Sequence, residues 1–82
     1  MKVFRFGKFY NYDTVNADSS WNKEQVFKAA SLYATCIHLG HSENLSYSLS
    51  YMFIRCESVP GTNYEQKYMN MLNKIMDHVE IA

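Results

Sequence analysis

Cys36, His38, His41, Cys56 and His78 are the side chains of this sequence best suited to hold a metal ion. Zinc wants four such groups converging on a tetrahedron. Cys36 and His38 stand two apart in a stretch of helical periodicity, which turns them roughly 200° from each other around the axis. No Cys-x-x-Cys pair is present to anchor a zinc knuckle. The spacing therefore predicts no metal site, with His38 solvated, His41 in a turn and both cysteines structural. Serines, histidines and Asp77 are available for nucleophilic catalysis, but no Gly-x-Ser-x-Gly elbow positions a nucleophile. Asp77 and His78 are neighbours that leave a helix in different directions. Gly7, Gly40 and Gly61 are too scattered to cradle a phosphate, and no carboxylates pair at acid–base spacing. The expected protein is not an enzyme: it has no catalytic residues, no metal and no cofactor.

The chemistry that remains lies in KVFRFGKFYNY, residues 2–12. Lys2, Phe4, Phe6, Lys8, Tyr10 and Tyr12 fall on every second position, so an extended chain would project all of them from one face. Such a surface could hold phosphates and stack bases, at about 1–3 kcal/mol per base. The same rings could fill a small core instead, where burying one Phe contributes roughly 1.5–3 kcal/mol. Gly7 in mid-run points to a bulge or tight bend that turns Tyr10 and Tyr12 elsewhere. A division is expected: Phe4 and Phe6 in the core, with Lys8, Tyr10 and Tyr12 on a partner-binding surface. Tyr47 and Tyr51 join that surface as surplus aromatic area.

Composition limits the partners. Eighty-two residues, 48% hydrophobic and 20% charged, make one compact domain over 1–82 with no room for a second core. Aromatics reach 16%, including seven tyrosines, more than so small a chain can fully bury. Tyr surface left over fits an interface. Eight basic and eight acidic residues cancel, which speaks against a committed nucleic-acid or anionic-membrane binder. The distribution is uneven, however: residues 1–12 carry Lys2, Arg5 and Lys8 and no acid. No apolar run approaches the roughly 18 residues of a membrane helix, and no apolar segment of a signal peptide follows the amino terminus. A cytoplasmic protein with reduced Cys36 and Cys56 is expected. Abundant Asn, Lys, Tyr, Phe and Met with scarce Gly and Pro would follow from AT-rich coding DNA, as in a phage or mobile element.

The elements that would position these residues are readable in part. Asn22 and Gln25 form a capping-box pattern, with Trp21 placed to staple onto Val26. Val26, Ala29, Ala30, Tyr33, Cys36 and Ile37 then recur at helical spacing, opposite Lys28, Ser31, Thr35 and His38, and Gly40 stops the run. This predicts a helix over 23–39. Thr62-x-x-Glu65 is a second capping-box pattern, and Tyr64, Tyr68, Met71, Leu72, Ile75 and Val79 make an apolar stripe. This predicts a helix over 63–80. Between them, Leu45, Tyr47, Leu49, Tyr51 and Phe53 alternate with Ser46, Ser48 and Ser50, which favours a strand. A helix from a Ser42 cap, with Leu45, Leu49, Met52, Phe53 and Cys56 as its stripe, is the alternative.

The favoured fold is α+β in the order β-α-β-α. Its two-stranded sheet is thin, and a second copy pairing at the edge would complete it, so a homodimer is expected. The alternative is mainly α, an N-terminal strand plus three helices. On that alternative, Gly40 would sit between the helices of a helix-turn-helix. Its second helix would bring Ser46, Tyr47, Ser50, Tyr51 and a lone Arg55 to DNA, poor equipment for a major groove. The functional expectation is a small protein-interaction module, such as an inhibitor or modulator of a larger host protein. The alternative function is weak RNA or single-stranded DNA binding through the basic aromatic strand.

Overall fold

A computed structural model describes residues 1–78. Its elements run β1 (Lys2–Arg5), β2 (Lys8–Asn11), α1 (Lys23–His38), α2 (Glu43–Ser58) and α3 (Gln66–Met76), with a single 3-10 turn over Thr14–Asn16. The order is therefore β-β-α-α-α. The expected α+β class holds, while the order departs from the expected β-α-β-α in two places, and the three helices are those of the alternative.

The first departure is Gly7. It makes a tight bend, as one of the two expectations has it, but the bend reverses the chain and closes a hairpin. Phe6 and Gly7 both take positive φ, 53° and 80°, the backbone that a two-residue hairpin turn requires to match strand twist. The strands pair antiparallel with Arg5 opposite Lys8, Phe4 opposite Phe9, Val3 opposite Tyr10 and Lys2 opposite Asn11. The ladder continues outward, since the Tyr12 amide donates to the Met1 carbonyl at 2.7 Å. Opposed residues share a face. Val3, Tyr10 and Tyr12 point inward and are buried, while Phe4 and Phe9 point outward.

The second departure is the middle segment, which is helical over Glu43–Ser58 rather than a strand. Its buried residues are Ser46, Leu49, Ser50, Phe53 and Ile54, a spacing of three and four that only a helix brings onto one face. The serines that would form the polar side of a strand are inside. Ser46 donates to the Ser42 carbonyl at 2.7 Å, and Ser50 to the Tyr47 carbonyl at 2.8 Å. Each hydroxyl is satisfied within its own helix, so burying it leaves no open donor. Ser42 caps the helix by accepting from the Leu45 amide at 3.2 Å.

α1 begins and ends as its sequence signals indicate. Asn22 accepts from the Gln25 amide and Gln25 accepts from the Asn22 amide, at 2.8 and 2.9 Å. At its end, the Gly40 and His41 amides bond back to the carbonyls of Ile37 and Cys36, with Gly40 at φ 96°, a Schellman stop. The amphipathic pattern is a poorer guide to burial. Every residue from Ala29 to Cys36 is buried, Ser31 and Thr35 included, because α1 packs against β1, α2 and α3 at once. The Ser31 and Thr35 hydroxyls donate to carbonyls one turn back, at 3.0 and 2.8 Å. Lys28 of α1 also bridges to Glu57 of α2 at 2.6 Å.

α3 starts later than expected, at Gln66, without a side-chain cap from Glu65. The Thr62 hydroxyl donates instead to the Val59 carbonyl at 2.8 Å, so the capping box does not form. Leu72 and Ile75 are buried as the stripe predicts, and Tyr68 and Met71 pack at the core margin. Val79 and the predicted helix end at 80 lie outside the described residues. No described helix is long and apolar enough to cross a membrane.

Candidate interaction surface

The outer face of the hairpin carries the most exposed aromatic rings. Phe4 is 61% and Phe9 69% exposed, and they face each other across the strands with centroids 5.0 Å apart and planes 64° apart. Alternation puts Lys2 and Asn11 on this face beside them. At the turn, Phe6 stacks flat on His38, at 3.9 Å and 3°. The Arg5 guanidinium lies 5.4 Å from the centroid of the same Phe6 ring. The Lys8 ammonium lies 5.0 Å from the Tyr10 centroid.

The division expected for this stretch is thus inverted. Phe4 and Phe6, expected in the core, are exposed, whereas Tyr10 and Tyr12, expected on the surface, are 6% and 0% exposed. Turn geometry accounts for the grouping. Reversal over two residues pairs Val3 with Tyr10 and Phe4 with Phe9, so the rings could not all share one side. The helices decide which side goes in. Tyr12 meets Tyr33 of α1 edge-on at 5.7 Å and Tyr47 of α2 at 5.3 Å, and Tyr33 stacks on Tyr47 at 4.4 Å. The Tyr47 hydroxyl accepts from the Asp13 amide at 2.9 Å, which ties the end of the hairpin to α2.

Of the five expected site residues, Lys8 is exposed at the turn and Tyr10 and Tyr12 are core. Tyr47 and Tyr51 are half-buried, and the structure brings them together in an open groove of about 300 Å³ with Asn16, Ser48, Met52 and Tyr64. Tyr51 packs on Trp21 at 5.3 Å and its hydroxyl points to Asp18 at 3.5 Å. The Asp18 carboxyl is held below its usual range chiefly by the Ser20 amide and hydroxyl. Phe9 was missed by sequence reasoning. An X-Gly step midway between two alternating runs is the signal that would have found it.

Of the two free thiols, Cys36 is buried and Cys56 is half-buried. Burial pushes the Cys36 thiol up to about 12, so it keeps its proton, whereas the thiolate is the nucleophile and metal ligand. Burial, with Tyr47 and Glu43 adding to it, pushes Tyr33 up to about 12. Tyr12 is also raised by burial, with Ser50 opposing. Among the described residues no group of three His, Cys, Asp or Glu side chains could hold a metal ion. α1, the Gly40 turn and α2 do follow one another as a helix-turn-helix requires. However, Ser46 and Ser50, two of the side chains it would offer to DNA, are buried. Comparison with protein-family models, with curated proteins and with solved structures finds no match.

Proposed function

We propose that this chain is a small, non-enzymatic protein-interaction module that acts by occupying a surface of a larger protein, as an inhibitor or modulator of phage or mobile-element origin would. The observation that carries this reading is the Phe4–Phe9 pair, two large apolar rings set side by side on a sheet face and left to solvent. Leaving such rings in water forgoes the core stabilisation that a domain this small needs, and contiguous apolar surface of this kind marks a binding site. A covered inner face gives the outer face a rigid backing, because Val3, Tyr10 and Tyr12 fix the hairpin on the helices. The expectation of a homodimer rests on a thin two-stranded sheet with an open edge and on surplus aromatic surface. The sheet has two strands, but a hairpin that buries one face within its own chain makes a second copy less necessary for the core.

The second reading, a weak RNA- or single-stranded-DNA-binding module, is favoured by Lys2, which shares the face with both rings. Ring geometry weighs against it. Consecutive stacked bases need parallel free ring faces, but Phe4 and Phe9 stand 64° apart. One face of Phe6 is occupied by His38.

Capture from cells of the native host separates the two. Wild-type protein should retain a specific partner after nuclease treatment, and Phe4→Ala with Phe9→Ala should lose it while remaining folded. Capture abolished by nuclease would replace the first reading with the second.

A further inference from the structure

We infer that the groove between Tyr47, Tyr51 and Tyr64 docks a basic protein segment, with an Arg or Lys side chain over the rings and the Asp13 and Glu43 carboxylates beside it. This goes beyond the interaction reading above, because neither Phe4 nor Phe9 lines the groove. Two halves meet at Asn16 and Tyr47. One, of about 300 Å³, is lined by the three tyrosines and Met52. The other, of about 550 Å³, is polar and carries Asp13, Glu43 and Asn44. Charge along it is one-sided. Residues 13–22 and 42–54, which line most of the groove, hold Asp13, Asp18 and Glu43 and no Lys or Arg. Among the described residues the ion pairs are Lys28–Glu57 and Lys67–Glu65, so no cation contacts these three carboxylates. Against them stand the Met1 ammonium, which donates to the Tyr12 carbonyl at 2.9 Å, and Arg55, which adds to the Ser20 hydrogen bonds in lowering Asp18. The balance stays negative. A tyrosine face attracts a guanidinium or ammonium, and flanking carboxylates draw cations in and reject anions. The rings are also set in advance. Tyr47 stacks on Tyr33 at 4.4 Å and Tyr51 packs on Trp21 at 5.3 Å, so docking has less to order. The same carboxylates repel a nucleic-acid strand. A second copy offering its basic hairpin would dock head to tail and build rings or filaments.

A displayed library of random peptides, selected in parallel on the immobilised full chain and on its Tyr64→Ala variant, tests the inference. Tyr64 stands outside the core cluster, so its truncation should leave the circular dichroism spectrum unchanged. Peptides enriched on wild type and lost on Tyr64→Ala should carry Arg or Lys. Their binding should fall roughly thirtyfold on Tyr64→Ala, the loss typical of an aromatic anchor. It should weaken with added salt and be unmoved by Phe4→Ala with Phe9→Ala. Asp13→Asn with Glu43→Gln changes two exposed residues and gives an arm independent of the ring. It should lower binding roughly tenfold and flatten the salt dependence. Winners that need Tyr64 but lack Arg and Lys, proline-rich ones for instance, would overturn the basic occupant. No winner that needs Tyr64 or the two carboxylates would overturn the groove, and winners that need Phe4 and Phe9 would then leave the interaction reading standing. Saturable binding of tetramethylammonium without basic winners would assign the groove to a small cation. Tighter binding of a labelled oligothymidine through Tyr64 would assign it to single-stranded nucleic acid. A mass that rises with concentration and reverts on Tyr64→Ala would assign it to a second copy. Each of these three results overturns the proposal.

Discussion

The ring of Phe6 lies flat against the imidazole of His38, centroids 3.9 Å apart and planes 3° from parallel. It joins the tip of the hairpin to the last residue of α1. Phe6 also holds φ at 53°, a left-handed backbone that costs a residue with a Cβ about 1–2 kcal/mol. The stack helps to offset that strain. Phe6→Ala and His38→Ala should each lower stability, and the double variant should lose less than their sum. A double-mutant cycle in denaturant should return a coupling of about 0.5–1.5 kcal/mol, the range for aromatic pairs. A coupling of zero would mean the stack adds nothing to the fold.

The outer and inner faces of the hairpin predict opposite responses to truncation. Phe4→Ala and Phe9→Ala remove exposed rings and should stay within about 0.5 kcal/mol of wild type in urea. Tyr12→Ala removes a fully buried ring that meets Tyr33 and Tyr47, and should cost about 3–5 kcal/mol. Equal losses on both faces would mean that the outer face of the hairpin is covered in solution.

The Tyr10 and Tyr12 hydroxyls are buried without a hydrogen-bond partner among the described residues. An unmet buried hydroxyl costs on the order of 1–3 kcal/mol in protein contexts. Tyr10→Phe and Tyr12→Phe keep the ring and remove that cost, so each should be neutral or raise the melting temperature. A fall in melting temperature would reveal a partner for the hydroxyl, with Ser50, which opposes the effect of burial on Tyr12, a candidate there.

These contrasts mark where the sequence was a sufficient guide. Asn22, Gln25 and Gly40 act through neighbours close in the chain, and α1 starts and stops where they indicate. α2 was harder to read, because Ser46 and Ser50 look polar in any hydropathy pattern. Their hydroxyls bond to carbonyls of their own helix, which makes them small and self-satisfied residues that a helix interface accepts. In the hairpin, the alternation was legible and its direction was not. Val3, Tyr10 and Tyr12 go inward because Tyr33 and Tyr47 wait there, and neither belongs to the hairpin. The candidate surface inherited that inversion, which replaced Tyr10 and Tyr12 with Phe4 and Phe9.

Caps provide a local check on the helices. Asn22 and Ser42 each accept from a backbone amide, so Asn22→Ala and Ser42→Ala should each cost about 1 kcal/mol. Glu65 caps nothing with its side chain. Glu65→Ala should therefore leave stability in urea almost unchanged. A loss equal to that of Asn22→Ala would mean that α3 is capped in solution.

Alkaline pH should unfold this protein through its buried acids. Cys36 is raised from 9.0 to about 12 and Tyr33 from 10.0 to about 12, in both cases mainly by burial. Each is neutral in the folded state over an interval in which the unfolded chain has already ionised. The unfolded state then binds fewer protons, so stability falls as pH rises. The contribution is fully present below pH 9.0, the unfolded value of the thiol, and is lost as pH climbs toward about 12. Urea midpoints measured at rising pH should be level through neutrality and then decline. Cys36→Ala should delay the onset of that decline toward the phenol's ordinary value of 10.0, whatever its effect on stability at neutral pH. An onset that does not move on Cys36→Ala would show that the thiol is not the group that begins the loss.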